Sequence, residues 1–315
     1  MATNDVTANA IAFGRERAKQ TLARRATARE TRAKALAAHR SRFELTEQVA
    51  AVQEVTAAAG LETAGYLVAA GDSWFDYPLH RDVLNLLEDE HGYNVESCAH
   101  HGDPIEAMAY QGGQLDKVAR CLEKVTAHGA VPKAVLLSGG GDDIAGKEFG
   151  MLLNNATSGI HGWNDEVVDG VLNQRILTAF KYMLSQIDVL CQSSLGKSIP
   201  VLVHGYDYPV PDGRGFLGFL AGPWLQPGLR EKLFVDLKSN VALLRVLIDR
   251  FNAMLAALVK EPSYSYVHYV DLRNTLSVDL TNDAYKIWWD NELHPTEPGF
   301  RAVAIKFANE LSTLS

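Results

Sequence analysis

The chain has 315 residues, 47% of them hydrophobic, and a net charge of −8. This excludes a fibrous or wholly disordered protein and fits one large domain or two modest ones with a real core. The acidic balance argues against nucleic acid as the main partner, because phosphate binding needs a basic surface. Cys98, Cys121 and Cys191 cannot all pair within one chain, and none stands in a metal-binding spacing, so they read as reduced thiols. The N-terminus lacks the apolar stretch of a secretory signal and no run of about 18 apolar residues occurs. No membrane span is expected, and the cytoplasm is the expected location.

Charge is uneven along the chain. The first 45 residues carry ten Lys and Arg, from Arg15 to Arg42, against Asp5, Glu16, Glu30 and Glu44. Residues 1–60 read as a basic Ala/Arg-rich arm of helical propensity, too poor in large apolar residues to form a core. As a solvated extension it would lie along its own acidic domain or, in the sharper version, along a second subunit of a homo-oligomer. An Arg-rich, acid-poor leader is also the composition of an organelle transit peptide.

From residue 61 to 315 the pattern becomes short β-rich runs alternating with long amphipathic segments, as a parallel sheet with crossover helices requires. Five strands are predicted, over Tyr66–Ala70, Asn94–Cys98, Lys133–Leu137, Ile199–His204 and Tyr266–Asp271, each expected to be buried on both faces. Apolar residues at three- and four-residue steps predict one helix through Val168, Leu172, Ile176, Phe180, Met183, Ile187 and Leu190. A second stripe runs from Leu229 and Leu233 through Leu237, Val241, Leu244, Ile248, Phe251, Leu255 and Leu258.

Ligands of such sheets sit beyond the carboxyl ends of the strands. The turns found there are Gly71-Asp72-Ser73-Trp74, His100-His101-Gly102-Asp103, Ser138-Gly139-Gly140-Gly141-Asp142-Asp143 and, later, Asp290-Asn291-Glu292-Leu293-His294-Pro295. A serine at a strand tip and a histidine on a distant loop are the two halves of an activated hydroxyl nucleophile. The serine hydroxyl is too weak an acid to attack an ester unaided, so a base must take its proton and return it to the leaving group.

These four blocks, in this order, resemble the SGNH (GDSL-type) hydrolase family across roughly residues 65 to 313. The resemblance implies a three-layer α/β/α flavodoxin-like fold with a five-stranded parallel sheet, preceded by the helical extension. It also implies a serine esterase or lipase-type hydrolase that cleaves a small-molecule carboxylic ester through an acyl-enzyme. By position, Ser73 is the nucleophile and His294 the base, and the oxyanion donors are the Ser73 N–H, the Gly102 N–H and the side chain of Asp142. Fixed donors of that kind contribute about 3–4 kcal/mol each.

Two positions depart from the family pattern. Asp142 stands where the family carries asparagine, so it is held neutral and donates as an acid, or points away, or marks an altered enzyme. Asn291 stands where the family carries aspartate, three residues before His294; it is the expected orienter of the imidazole, with Asp290, Glu292 or a backbone carbonyl as alternatives. No cofactor is expected. His100 and His101 with Asp103, Asp142 and Asp143 do not suggest a metal, since adjacent histidines rarely chelate one ion, and Asp72 and Asp143 are expected to shape turns or cap helices. The aromatic, Gly/Pro-broken stretch 204–224 reads as a flexible lid or acyl-binding wall, or else as a buried connector. The same site would also serve acyl transfer to an alcohol, and a catalytically impaired binding module of the same fold is the reading from a different class.

Overall fold

The computed structural model describes residues 27, 30–38, 63–111, 113–146, 148–160, 162–218 and 220–314. Most of the basic arm therefore lies outside the described residues, as does Phe219 of the aromatic stretch. The chain divides into two compact units, one of residues up to Gly65 together with Leu87–Asn94, the other of Tyr66–Leu86 together with Val95–Ser315.

In the first unit, residues 30–38 are helical. The Arg32 guanidinium donates to the carbonyls of Glu88 (2.6 Å) and Tyr93 (2.5 Å) and to Asn94 Oδ1 (2.5 Å). One arginine thus satisfies three acceptors at a chain bend, a geometry its rigid fork suits.

The second unit is built on five strands, β1 (Tyr66–Ala70), β2 (Asn94–Ser97), β3 (Pro132–Leu137), β4 (Val201–His204) and β5 (Val267–Val270), in the spatial order β2-β1-β3-β4-β5. β1 pairs parallel with β3, β3 with β4 and β4 with β5. On the other edge, Cys98 N donates to Ala69 O and His100 N to Gly71 O, so β2 runs parallel as well. This order reverses direction at β1, and the switch point lies between β1 and β3, where doubly wound sheets open a crevice.

The helices are α1 (Val83–His91), α2 (Ile105–Tyr110), α3 (Gln114–Ala127), α4 (Asp165–Asp169), α5 (Leu177–Leu195), α6 (Gln226–Glu231), α7 (Leu237–Leu258) and α8 (Glu297–Thr313). α3 packs on β1 and α7 on β4, with α5 against α2, α3 and α7. α8 covers the opposite face, where its Phe307 meets Phe75 and His204.

The central strands follow expectation: Leu67, Val68, Ala69 and Ala70 of β1 are all fully buried. Each large aliphatic side chain so buried stabilises the fold by about 1.5–3 kcal/mol relative to exposure. β2 does not follow it. Its residues are half-buried and Ser97 is exposed, and in β5 His268 and Tyr269 are half-buried, because both are edge strands with one open side.

The stripe from Val168 to Leu190 is one continuous rod, α4 passing through a π-helical stretch, Gly170–Ile176, into α5. The stripe from Leu229 to Leu258 is not one helix. It breaks after α6 at Leu233, which has a left-handed φ of 65° and is exposed. α7 restarts where Asp236 caps it by accepting from Ser239 N at 2.8 Å.

Candidate active site

The serine turn leaves β1 in a tight bend. A Cβ on Gly71 would lie 2.6 Å from Ser138 Cβ at the end of β3, so only glycine allows β1 and β3 to approach there. Asp72 then fixes the turn: its Oδ1 accepts Trp74 N (3.0 Å) and the Ser138 hydroxyl (2.6 Å), and its Oδ2 accepts the Tyr206 hydroxyl. Ser138 Oγ is also 2.8 Å from Nε2 of the fully buried His204, whose basicity burial lowers. Trp74 Nε1 donates to Leu293 O at 3.1 Å, tying the serine turn to the chain segment that carries the histidine.

The Ser73 hydroxyl lies 2.7 Å from His294 Nε2, with the two residues 221 positions apart in the chain. Behind the imidazole, Asn291 Oδ1 sits 2.9 Å from His294 Nδ1. The same oxygen accepts the backbone N–H groups of Leu293 and His294, both at 3.0 Å. Two N–H donors fix which end of the amide is oxygen. The amide therefore accepts from Nδ1–H, which leaves the Nε2 lone pair facing Ser73.

Asn291 Nδ2 points the other way, to the Tyr77 hydroxyl (3.1 Å) and Asp290 Oδ2 (3.3 Å), while Tyr77 donates to Asp290 Oδ2 at 2.5 Å. The Tyr77 ring stacks on His294 with centroids 4.7 Å apart. Of the alternatives for orienting the histidine, Asn291 makes the contact and Asp290 stands one hydrogen bond further out. Burial, with a lesser push from His80 and His101, lowers the His294 imidazole to about 3. With asparagine behind it, no carboxylate among the described residues is in direct contact to offset that loss of hydration.

Asp142 shares the wall of one cavity with Ser73. Burial and the neighbouring charges of Asp72, Asp143 and Asp103 raise its carboxyl to about 7. Gly102 is placed differently: it is exposed, in a left-handed turn with φ of 82°, and is not on the wall of that cavity. Asp143 caps a helix, though one earlier in the chain, accepting Ile105 N (2.7 Å) and Glu106 N (3.1 Å) at the start of α2. His101 Nδ1 lies 2.8 Å from Asp76 Oδ2 and His100 Nδ1 3.4 Å from Asp103 Oδ1, both near the surface. Among the described residues no group of three or more His, Cys, Asp and Glu has a metal-holding arrangement.

Over most of its length the chain is similar to solved structures. One is an acetylxylan esterase from Geobacillus stearothermophilus, a catalytic mutant, at 14% identity over 79% of this chain and 94% of that one, with a TM-score of 0.39. Another is a GDSL-like lipase from Bacteroides thetaiotaomicron, at 12% identity over 83% of this chain and 96% of that one, with a TM-score of 0.39. No family model matches the chain, and no curated protein matches it.

Glu292 has a role that sequence spacing did not reveal. It is fully buried, and its carboxylate accepts the N–H groups of Gly213 (2.9 Å), Trp224 (2.7 Å), Leu225 (2.7 Å) and Gln226 (3.0 Å). Burial raises its carboxyl and those four donors oppose the rise. Arg214 Nη1 in turn donates to the carbonyls of Trp289 (2.9 Å) and Asp290 (2.7 Å). The stretch 204–224 is thus tied to the histidine block at its middle, through Gly213 and Arg214, and at its C-terminal end, through Trp224, and Tyr206, Asp207 and Pro209 line the cavity beside Ser73. Residues 206 to 209 thus stand as part of that wall, while between the anchors Leu217 and Leu220 are exposed. Ser138, Tyr206 and Tyr77 were also missed as site residues, since apart from Tyr77, four residues after Ser73, no local spacing links them to the serine.

Proposed function

We propose that this protein is an SGNH-type serine esterase that cleaves a small-molecule carboxylic ester through an acyl-enzyme. The observation that carries the reading is the 2.7 Å contact between Ser73 Oγ and the unprotonated Nε2 of His294. Ser73 Oγ attacks the ester carbonyl carbon as its proton passes to Nε2. The tetrahedral intermediate then collapses, and His294 returns the proton to the leaving alkoxide oxygen. Water repeats the sequence on the acyl-enzyme and releases the acid.

Asn291 orients the base in this scheme. The N–H groups of Ser73 and Gly102, with Asp142 as a protonated acid, are assigned to the oxyanion. For Gly102 this assignment requires the turn at 100–103 to close on bound ester. An Asp142 carboxyl raised to about 7 favours the acid form over the pH range below neutrality.

The test is labelling of Ser73 by an organophosphonate, together with turnover of nitrophenyl esters from acetate to palmitate by the native chain and by Ser73→Ala. Labelling and turnover that both vanish in Ser73→Ala support the reading. A native chain that neither labels nor turns over any ester overturns it.

A second reading, a binding module without turnover, is favoured by the burial of His294 with an amide and not a carboxylate behind it, which lowers the imidazole and leaves a weak base. Lack of phosphonate labelling would select it. Acyl transfer to an alcohol uses the same acyl-enzyme and is separated by product analysis with added acceptors.

No helix among the described residues is long and apolar enough to cross a membrane. We assign the protein to the cytoplasm, with free Cys98, Cys121 and Cys191 as support. To the basic residues 1–60 we assign contact with a second subunit, to be tested by sedimentation of the chain with and without them.

A further inference from the structure

We propose that His204, buried behind the nucleophile turn, is a cationic imidazolium that holds and neutralises Asp72 through the Ser138 hydroxyl. Its charge state is independent of the esterase reading; its effect on turnover rests on that reading.

Hydrogen bonding along this buried row fixes how many hydrogens it holds. His204 Nδ1 lies 2.7 Å from the Gly205 carbonyl oxygen, His204 Nε2 2.8 Å from Ser138 Oγ, and Ser138 Oγ 2.6 Å from Asp72 Oδ1. A carbonyl oxygen only accepts, so Nδ1 carries a hydrogen. Each of the other two spacings also needs a hydrogen between its heavy atoms. A neutral imidazole and a serine hydroxyl together supply two hydrogens for these three bonds. The third sits on the imidazole, with Asp72 a carboxylate, or on Asp72, with the imidazole neutral.

The surroundings place it on the imidazole. Asp72 also accepts Trp74 N at 3.0 Å and the Tyr206 hydroxyl. Gly141 N donates to the Tyr206 oxygen at 3.1 Å, which directs the phenol hydrogen to Asp72. Besides Ser138, two fixed donors thus face Asp72, a pattern suited to a carboxylate. Around His204 the rings of Trp74, Phe75, Tyr206 and Phe307 stand with centroids 5.6, 5.5, 5.3 and 5.4 Å away. Aromatic faces attract a cation within about 6 Å. Burial lowers the basicity of His204, while the Asp72 charge and the Gly205 carbonyl oppose that loss. Burial and Asp72 also hold the Tyr206 hydroxyl well above the ordinary phenol range, so it stays neutral and Asp72 is the counter-charge.

The consequence lies at the cavity beside Ser73, whose wall includes Asp72, Gly141 and Asp142. An uncompensated carboxylate there would oppose the negative charge of a tetrahedral intermediate. The imidazolium cancels that charge while the Asp72 oxygens keep the serine turn in place. His204 does not line the cavity and acts through Ser138 and Asp72, so it is a positioning residue.

The experiment is nitrogen-15 NMR of the histidine rings in the full native chain at pH 8, where an ordinary imidazole is neutral. The His204 signals are assigned by their loss in His204→Gln, or by ring-to-backbone correlations where that variant does not fold. Expected are two protonated ring nitrogens that stay so from pH 6 to pH 9. An unprotonated Nε2 on His204 in the native chain overturns the proposal. In a folded His204→Gln variant the amide still donates to Ser138 but carries no charge. Its kcat for nitrophenyl acetate should fall roughly tenfold or more with KM little changed, and the alkaline limb assigned to Asp142 should move to higher pH, because loss of a nearby positive charge favours the acid form. A native kcat and an unmoved limb in that variant overturn the coupling to Asp72. No ester turnover by the native chain, with both His204 nitrogens protonated, overturns the esterase reading and leaves the buried imidazolium standing.

Discussion

Asn291 Oδ1 lies 2.9 Å from His294 Nδ1 and is held there by two backbone N–H groups, so a neutral amide stands behind the imidazole where a carboxylate could otherwise stand. An amide fixes the tautomer as well as a carboxylate does, but it supplies no charge to stabilise an imidazolium. The negative charge nearest along this line is Asp290, reached through Asn291 Nδ2 and the Tyr77 hydroxyl.

Replacing Asn291 by alanine should therefore cost about 100-fold or more in kcat, a typical range for disabling a general base. Asp290→Ala, one hydrogen bond further out, should cost less than about tenfold on the same scale. Asn291→Asp should raise the basicity of His294 and move the acid limb of the rate profile to higher pH. Steady-state kinetics on the three variants decides; equal losses for Asn291→Ala and Asp290→Ala would show that the orienting contact is misassigned.

The pH dependence follows from two groups with opposite needs. His294 must be unprotonated to act as a base, and with its imidazole lowered to about 3 it stays so through most of the acid range. Asp142 must be protonated to donate to the oxyanion, and its carboxyl sits at about 7. Activity should rise through pH 3, hold a plateau and fall through pH 7, and Asp142→Asn should remove the alkaline fall. An asparagine variant no faster than the native chain at pH 9 would count against the protonated acid.

Stability should respond to the same carboxyl. Its folded value lies above the ordinary 3.8, so the native state binds the proton more tightly than the unfolded chain. Its contribution is fully present below about 4 and is lost as pH rises to about 7. The Tm gain from Asp142→Asn should then be larger at pH 8 than at pH 4, as thermal unfolding at the two pH values would reveal.

Glu292→Ala strips four N–H groups of their shared acceptor, and an unsatisfied buried donor costs about 1–3 kcal/mol. A loss of at least about 3 kcal/mol is expected, read by denaturant unfolding. Because the freed stretch walls the cavity and joins the His294 block, kcat should fall with it.

Gly71→Ala places a methyl 2.6 Å from Ser138 Cβ and 2.9 Å from Ser138 O. The strand ends must part to admit it, at a cost of about 1–3 kcal/mol. Because Ser138 also holds Asp72, the shift should lower phosphonate labelling of Ser73; unchanged labelling would mean the turn adapts without moving the nucleophile.

Five strands, their order along the chain and the four polar turns that follow them were legible because apolar runs, glycines and turn residues act over a few neighbouring positions. Asn291 could be placed behind His294 for the same reason, being three residues away. Local patterning did not distinguish edge strands from central ones, since β2 is exposed by its place in the sheet and not by its composition. Nor did it foresee the break at Leu233, where apolar spacing continues while the backbone turns left-handed.

What the sequence by itself determined is the alternation of strand and helix and the presence of a hydroxyl, an imidazole and an amide at turns on one edge of the sheet. Only the tertiary structure decided the 2.7 Å approach of Ser73 to His294, the bridge from Asp72 through Ser138 to His204, and the recruitment of Glu292 as an anchor for the wall opposite it. Those contacts join residues from about 66 to 221 positions apart. A hydrogen bond has a reach of about 3 Å, so partners so distant in the chain meet only once the sheet has set their strands in order.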